Sequence, residues 1–344
     1  MQKPFVFNGQ TIAPGTRITT DLVLPRLNSR THLAMPVHII HGKKEGPRLF
    51  VSSAVHGDEI NGIEITQRLV EHKSLRNING TLLVVPVVNV YGVIHQSRYL
   101  PDRRDLNRSF PGSVTGSLAA RVAHLFINQV IAHCTHGIDL HTGAIHRTNL
   151  PQIRANLDDD ETAALANSFG APVLLNSPMR DGSLRAAAAE MGITTLLYEA
   201  GEALRYDEFS IRAGLEGILN VMRELDMLRK RKHPRKKIEP FVARSSAWVR
   251  APESGVLRFP ASLGKRVSKG EILGQISDPY SQESVPLISP YRGVIIGATQ
   301  IPLVHEGEAL FHIARFNDDL SNVIDSLEEF ELSHTDDELA DEPG

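Results

Sequence analysis

Two short runs in this chain place metal-ligating side chains at the ends of apolar stretches. The first is Val51-Ser52-Ser53-Ala54-Val55-His56-Gly57-Asp58-Glu59, and the second is Gly137-Ile138-Asp139-Leu140-His141-Thr142-Gly143. His56, Glu59 and His141 supply two imidazoles and one carboxylate, the ligand set of an open catalytic zinc site with one ion per chain. Zinc requires ligand atoms about 2.0–2.2 Å away, so the three side chains must converge. His56 and Glu59 stand three apart on one strand-to-helix turn and can meet at a point. His141 joins them if its strand lies beside the first. The open fourth position of such a site holds water acidified to a pKa of about 7. Alone, a His-x-x-Glu pair arises by chance and a His at a strand end is usually structural, so the other motifs matter.

Arg98 to Gly112 reads Arg-Tyr-Leu-Pro-Asp-Arg-Arg-Asp-Leu-Asn-Arg-Ser-Phe-Pro-Gly. Arg108 offers a planar fork and Asn107 a further donor, together a clamp for a substrate carboxylate. The bland alternative is surface salt bridging, with Arg103, Arg104 and Asp105 satisfying one another. Asp139 stands two residues before His141 and shares its face of the strand, where it can orient that ligand or be merely structural. Asp58 reads as a turn residue. Leu196-Leu197-Tyr198-Glu199-Ala200-Gly201-Glu202 puts a carboxylate at the end of an apolar strand. A zinc hydrolase needs a non-ligand base to pass a proton from water to the leaving amine, and Glu199 is the candidate. Glu202 is the alternative, expected further into the loop and solvent-exposed.

The elements that must position these groups alternate. Leu49–Val51 with Ala54–Val55, Thr81–Asn89, Ile138–Leu140, Pro172–Leu175 and Ile193–Tyr198 read as strands. Ile60–Glu71, Ser117–Cys134, Glu161–Phe169, Leu184–Met191 and Phe209–Leu228 read as helices. Shorter β-like segments, Thr16–Thr20 and Met35–Ile40, precede them. The pattern implies an α/β domain over residues 1–228 with a parallel or mixed sheet, and chemistry at strand carboxyl ends. Residues 229–240 form a basic linker with seven Lys or Arg. They suit a helix C-terminus, and no interleaved aromatics suggest nucleic-acid binding. Residues 241–316 are β-rich with Gly turns. Their halves echo each other, Ala-Pro-Glu-Ser-Gly-Val against Ser-Pro-Tyr-Arg-Gly-Val, and resemble the lipoyl/biotinyl barrel-sandwich module. A carrier role needs a Lys at the central hairpin, and none follows Lys269. A lid or oligomerisation surface is expected instead.

The bulk numbers agree with an ordinary globular chain: 344 residues, 41% hydrophobic, 22% charged. Cys134 is the single cysteine, which excludes an internal disulfide and fits a reducing compartment. It reads as a packing residue. No apolar stretch approaches the roughly 18 residues of a membrane helix, and the N-terminus has no signal-peptide core. A cytoplasmic location is expected. The net charge of −3 divides into −11 for residues 317–344 and +8 for the rest. That acidic tail is expected to be a solvated, disordered extension.

His56-Gly57-Asp58-Glu59, Asp105-Leu106-Asn107-Arg108, Asp139-Leu140-His141-Thr142-Gly143 and Tyr198-Glu199 occur in one order over roughly residues 35–315. Together they resemble the succinylglutamate desuccinylase/aspartoacylase family, relatives of the zinc carboxypeptidases. The resemblance implies a zinc-carboxypeptidase-like mixed sheet flanked by helices, with a small C-terminal β domain. It implies zinc on His56, Glu59 and His141, substrate carboxylate on Asn107 and Arg108, and Glu199 as base and acid. A further Arg polarises the scissile carbonyl in that family; Arg98 matches best and Arg103 stays open. The expected substrate is a small N-acyl amino acid of the N-acetyl or N-succinyl type, and no membrane or nucleic-acid partner is expected. A succinyl group would need a further cation, for which Arg147, Arg180, Arg185 and Arg205 are candidates. Two rivals remain: a carboxypeptidase-like enzyme trimming peptide or poly-amino-acid ends, and a non-enzymatic binding protein. Homo-oligomerisation is left open.

Overall fold

The computed structural model describes residues 2–231 and 239–316, together with Phe330, Ser333 and His334. The core strands and helices run β1 (Thr16–Val23), β2 (Ala34–His41), β3 (Lys44–Ser53), α1 (Asn61–Glu71), β4 (Asn79–Val85), α2 (Leu118–Gln129), β5 (His136–Gly143), β6 (Arg147–Ala155), α3 (Asp160–Phe169), β7 (Val173–Asn176), α4 (Leu184–Glu190), β8 (Thr194–Glu202) and α5 (Glu208–Glu224). The C-terminal β region adds β9 (Ser245–Arg250), β10 (Gly293–Thr299) and β11 (Ala309–Arg315) to the same sheet.

The sheet order is β9-β11-β10-β6-β8-β5-β3-β4-β2-β1. Its centre, β8-β5-β3-β4, is parallel, and every pairing outward from it along that order is antiparallel. Alternate residues of the parallel strands feed opposite cores. Phe50, Leu83 and Val85 pack with Val122 and Phe126 of α2 and Leu184 of α4. Leu49, Val51, Leu82 and Val84 pack with Ile65 and Leu69 of α1, Leu165 of α3 and Ile218 and Met222 of α5. Each fully buried Leu, Ile or Phe is worth about 1.5–3 kcal/mol, so both faces must be covered, as parallel sheets require. The fold is therefore the expected mixed α/β sheet flanked by helices with a C-terminal antiparallel β region. A second sheet of that region runs Ser284–Ile288, Ile272–Ser277, Gly255–Arg258 and Leu303–Val304, all antiparallel.

Helix ends follow local chemistry. The Ser117 hydroxyl accepts from the Ala120 amide at the start of α2, and the Asp159 carboxylate accepts from the Thr162 amide at the start of α3. Both satisfy first-turn donors that the helix leaves open.

Several element boundaries differ from the sequence reading, with physical reasons. β3 stops at Ser53 because Ala54 takes a left-handed φ of 50°. The segment read as strand to Asn89 ends at Val85, and Asn89 instead caps a short helix by accepting from Gly92. The helix read to Cys134 ends at Gln129 and continues as a tighter turn, Ile131–His133. β6 was not foreseen: its sequence, Arg-Thr-Asn-Leu-Pro-Gln-Ile-Arg-Ala, lacks both an apolar run and clean alternation.

Cys134 is buried as expected, and burial pushes its thiol well above the usual range. Among the described residues no helix is long and apolar enough to cross a membrane. Residues 232–238 of the basic linker and nearly all of the acidic tail lie outside the described residues. Within the tail, Phe330 is buried, its ring edge-on to Phe209 of α5 at 5.5 Å.

Candidate metal centre and active-site cavity

The three candidate ligands lie at the carboxyl ends of the central strands. His56 follows β3, whose left-handed turn at Ala54 redirects the backbone. Gly57 makes the turn feasible: a Cβ there would fall 2.0 Å from the Gly92 carbonyl carbon. The amide of Glu59 then donates to the His56 carbonyl at 3.1 Å, closing a tight loop before α1. β5 is hydrogen-bonded to β3 in parallel, with Ser53 opposite Leu140, and this carries His141 to the same edge.

One ligand atom from each of His56, Glu59 and His141 lies within 4.8 Å of the others, and all three residues are buried. His56 Nδ1 and His141 Nδ1 each stand 2.7 Å from a different oxygen of Glu59. Their outer nitrogens are also engaged: His56 Nε2 by Asp105 at 3.1 Å and His141 Nε2 by Asp139 at 2.7 Å. Asp139 in turn accepts from the Ser52 hydroxyl at 2.7 Å. Paired carboxylates of this kind orient ligating imidazoles in metal sites.

The electrostatics match a centre that wants positive charge. Burial favours a neutral Glu59, yet His56 and His141 hold its carboxyl far below the ordinary range. Burial likewise opposes charge on the imidazoles, and the carboxylates raise both of them, His141 strongly. The donor set therefore fits a divalent cation: two nitrogens and one carboxylate, dry, convergent, and braced from behind.

The centre forms one end of a cavity of about 690 Å³. Arg98, Asn107, Arg108 and Glu199 all line it with the three ligand residues. Arg98 donates to Glu59 at 3.2 Å and to Asp105 at 3.0 Å. Asp105 therefore does not pair with its neighbours at the surface, as the bland reading had it, but braces His56. Arg103 is exposed and does not line the cavity. Asn107 is buried, and its side-chain oxygen accepts from the Leu184 amide at the start of α4, fixing the loop.

Glu199 lies beside His141 in the β8–β5 register. Its Oε2 accepts from Asn149 at 2.6 Å and pairs with Arg154 at 3.0 Å. Glu202 is not solvent-exposed, contrary to expectation. It is buried at the end of β8, accepts from the His146 amide and the Thr148 hydroxyl, and does not line the cavity. Asp58 lies in the turn, as expected, and is buried there; burial followed by Glu59 raises its carboxyl.

Arg147, Arg180 and Arg185 line the cavity, whereas Arg205 is exposed at the surface and pairs with Glu202. Several cavity residues escaped the sequence reading. Asn149 and Arg154 sit on the unforeseen strand β6. Arg244, Trp248 and His312 come from the C-terminal region. Trp248 stacks on His312 with centroids 4.6 Å apart, and the Arg147 guanidinium lies 5.1 Å from the Trp248 ring centre. The β10–β6 pairing brings this wall in, with Gly297 opposite Asn149. A Cβ at Gly297 would lie 2.8 Å from the Asn149 side-chain oxygen.

The fold is a helix-flanked mixed sheet, with a cluster able to hold a metal at the carboxyl edge of its parallel strands and a cavity beside it. A family model for the succinylglutamate desuccinylase/aspartoacylase catalytic domain matches residues 45–225, and the chain belongs to that family. The N-alpha-acetyl-L-2,4-diaminobutyric acid deacetylase of Halomonas elongata is 26% identical over 307 residues, covering 81% of this chain and 85% of its own. The product-bound ectoine utilization protein EutE (DoeB) of Ruegeria pomeroyi superposes with a TM-score of 0.80 at 23% identity, covering 92% of this chain and 100% of the other. A succinylglutamate desuccinylase/aspartoacylase from Rhodobacter sphaeroides gives 0.78 at 23% identity, covering 88% and 96%. At those identities the structural likeness establishes the shared fold.

Proposed function

We propose that the chain is a zinc-dependent amidohydrolase that removes the acyl group from a small N-acyl amino acid. The convergence of buried His56, Glu59 and His141 at one end of a cavity that also holds Arg98, Asn107, Arg108 and Glu199 carries the reading. Family membership and the deacetylase relative support it.

His56, Glu59 and His141 would hold the zinc, which would supply Lewis acidity and lower the pKa of water. Asp105 and Asp139 hold the imidazoles in the tautomer and orientation that ligation needs. Asn107 and Arg108 grip the substrate carboxylate and so place the amide beside the ligand cluster. Arg98, aimed at the same corner, stabilises negative charge growing on the acyl oxygen. Glu199 takes the proton from the attacking water and delivers it to the leaving nitrogen. A carboxylate and a free amino acid result. In this division residues 1–228 carry the chemistry and residues 241–316 close the cavity.

The deacetylase relative favours an acyl amino acid over a long peptide. Trp248, His312 and Arg244 bound the same space that the ligands open onto. Hydrolysis of a panel of N-acyl amino acids and short peptides by zinc-loaded protein, with a chelated control, tests the reading. Chelator-sensitive release from acyl amino acids is expected. Release from peptides alone would move the chain to the carboxypeptidase side, and no release from either would overturn it.

A further inference from the structure

The strand that walls the cavity beside Glu199 changes phase partway along. β6 and β8 pair antiparallel, with Glu199 opposite Gln152 and Gly201 opposite Asn149. Two steps along β8 therefore meet three along β6, so β6 carries one extra residue there. A bulge of this kind re-aims the side chains beyond it. On one side of it Arg154 lines the cavity, and on the other Asn149 and Arg147 do. Unbroken alternation would put Leu150 on the face of Arg154. Leu150 instead packs with Val173, Val294 and Ile296 and does not line the cavity.

The bulge delivers a donor to a carboxylate. The Asn149 amide donates to Glu199 Oε2 at 2.6 Å, and Arg154 Nη2 meets the same oxygen at 3.0 Å. Among the described residues Oε1 meets no donor. The two partners differ in kind. Asn149 is buried and its bond is short. Arg154 reaches Glu199 with one nitrogen, and its buried Nε has no partner, so the planar two-point fork is not formed. A glutamate side chain loses much rotamer freedom when it is fixed, and a base fixed beforehand does not lose it during the reaction.

We propose that Asn149 is a positioning residue for Glu199. It pins Oε2 through the bulge, so Oε1 is the oxygen that takes the proton from the attacking water and returns it to the leaving nitrogen. Arg154 supplies charge to the carboxylate, and Asn149 supplies its direction. The proposal rests on the amidohydrolase reading and adds a residue whose route to the reaction runs through the base.

The test is a double-mutant cycle on the zinc-loaded protein. Its substrate is whichever of N-acetylalanine, N-acetylglutamate and N-acetyl-2,4-diaminobutyrate the wild type hydrolyses fastest. Asn149→Ala is expected to lower kcat about 30-fold, a part of the roughly 10²–10⁴ that a general base supplies. KM should stay within about threefold, with zinc retained. Asn149→Asp keeps the shape and lacks the donor, and it should fall at least as far. In a Glu199→Gln background the same Asn149→Ala change should cost less than about threefold, because residues that act as one unit are not additive. Equal losses from Asn149→Ala in both backgrounds, loss of zinc in the Asn149 variants, or wild-type kcat in both of them overturns the positioning role and leaves the hydrolase reading standing. Wild-type turnover by Glu199→Gln removes the base from that reading, and the positioning role falls with it.

Discussion

The ligand end of the cavity and the rest of its wall are built on opposite terms. At the ligand end every imidazole nitrogen of His56 and His141 meets a carboxylate, and Glu59 receives both rings, Arg98 and the Thr142 amide. Elsewhere on the cavity wall Arg154, Arg185 and His312 each keep an unpaired nitrogen. A satisfied network fixes geometry. An unsatisfied one is open to exchange partners. The difference separates what the site does from what it does it to.

The largest effect that would break this division is at the ligand end. Glu59→Ala removes one of three ligands and the carboxylate that both imidazoles face, so bound zinc and turnover should both vanish. Elemental analysis of the purified variant, read with its activity, checks this; stoichiometric zinc with wild-type turnover would remove the metal from the mechanism. Next is Glu199→Gln, which keeps the shape of the side chain and loses the base. Here kcat should drop by about 10²–10⁴-fold with zinc retained, and a drop accompanied by metal loss would reassign Glu199 to holding the centre together.

The outer carboxylates sharpen the comparison further. Asp139→Asn or Asp105→Asn should weaken zinc by about 10–100-fold in competition with a chelating dye, and leave the order of preferred substrates alone. A changed substrate order would mean that the ligand end and the rest of the wall are not independent. The smallest effect on the cavity lies outside both. Phe330→Ala removes a buried side chain and its ring pair with Phe209, a loss of about 3–5 kcal/mol, so thermal denaturation should shift down by several degrees while kinetics stay fixed. Altered kinetics would tie the acidic tail to the cavity.

The same division explains what could be read from the residues alone. His56, Glu59 and His141 stand at the ends of the most apolar strands, where pattern and chemistry point to one place. Their local spacing carries the signal. Asp105 escaped because its partner, His56, is distant in sequence. Glu202 was misjudged because Thr194–Glu202 runs further than its apolar stretch. The rest of the wall was illegible for a different reason. β6 exposes Asn149 and Arg154 to the cavity, so its polar residues erase the alternation that marks a strand. Trp248 and His312 enter through antiparallel pairings whose register no local motif announces. Sheet class followed from alternating elements, whereas the hydrogen-bonded continuity of the C-terminal strands with the central sheet is a tertiary fact.

Gly297 turns that continuity into a chemical dependence. Its bare backbone leaves room for the Asn149 amide, which reaches Glu199. A single added methyl in the C-terminal region would therefore be felt at the reacting atoms, although it lies on another part of the chain. An engineer grafting the C-terminal region from a relative should keep a glycine at this position.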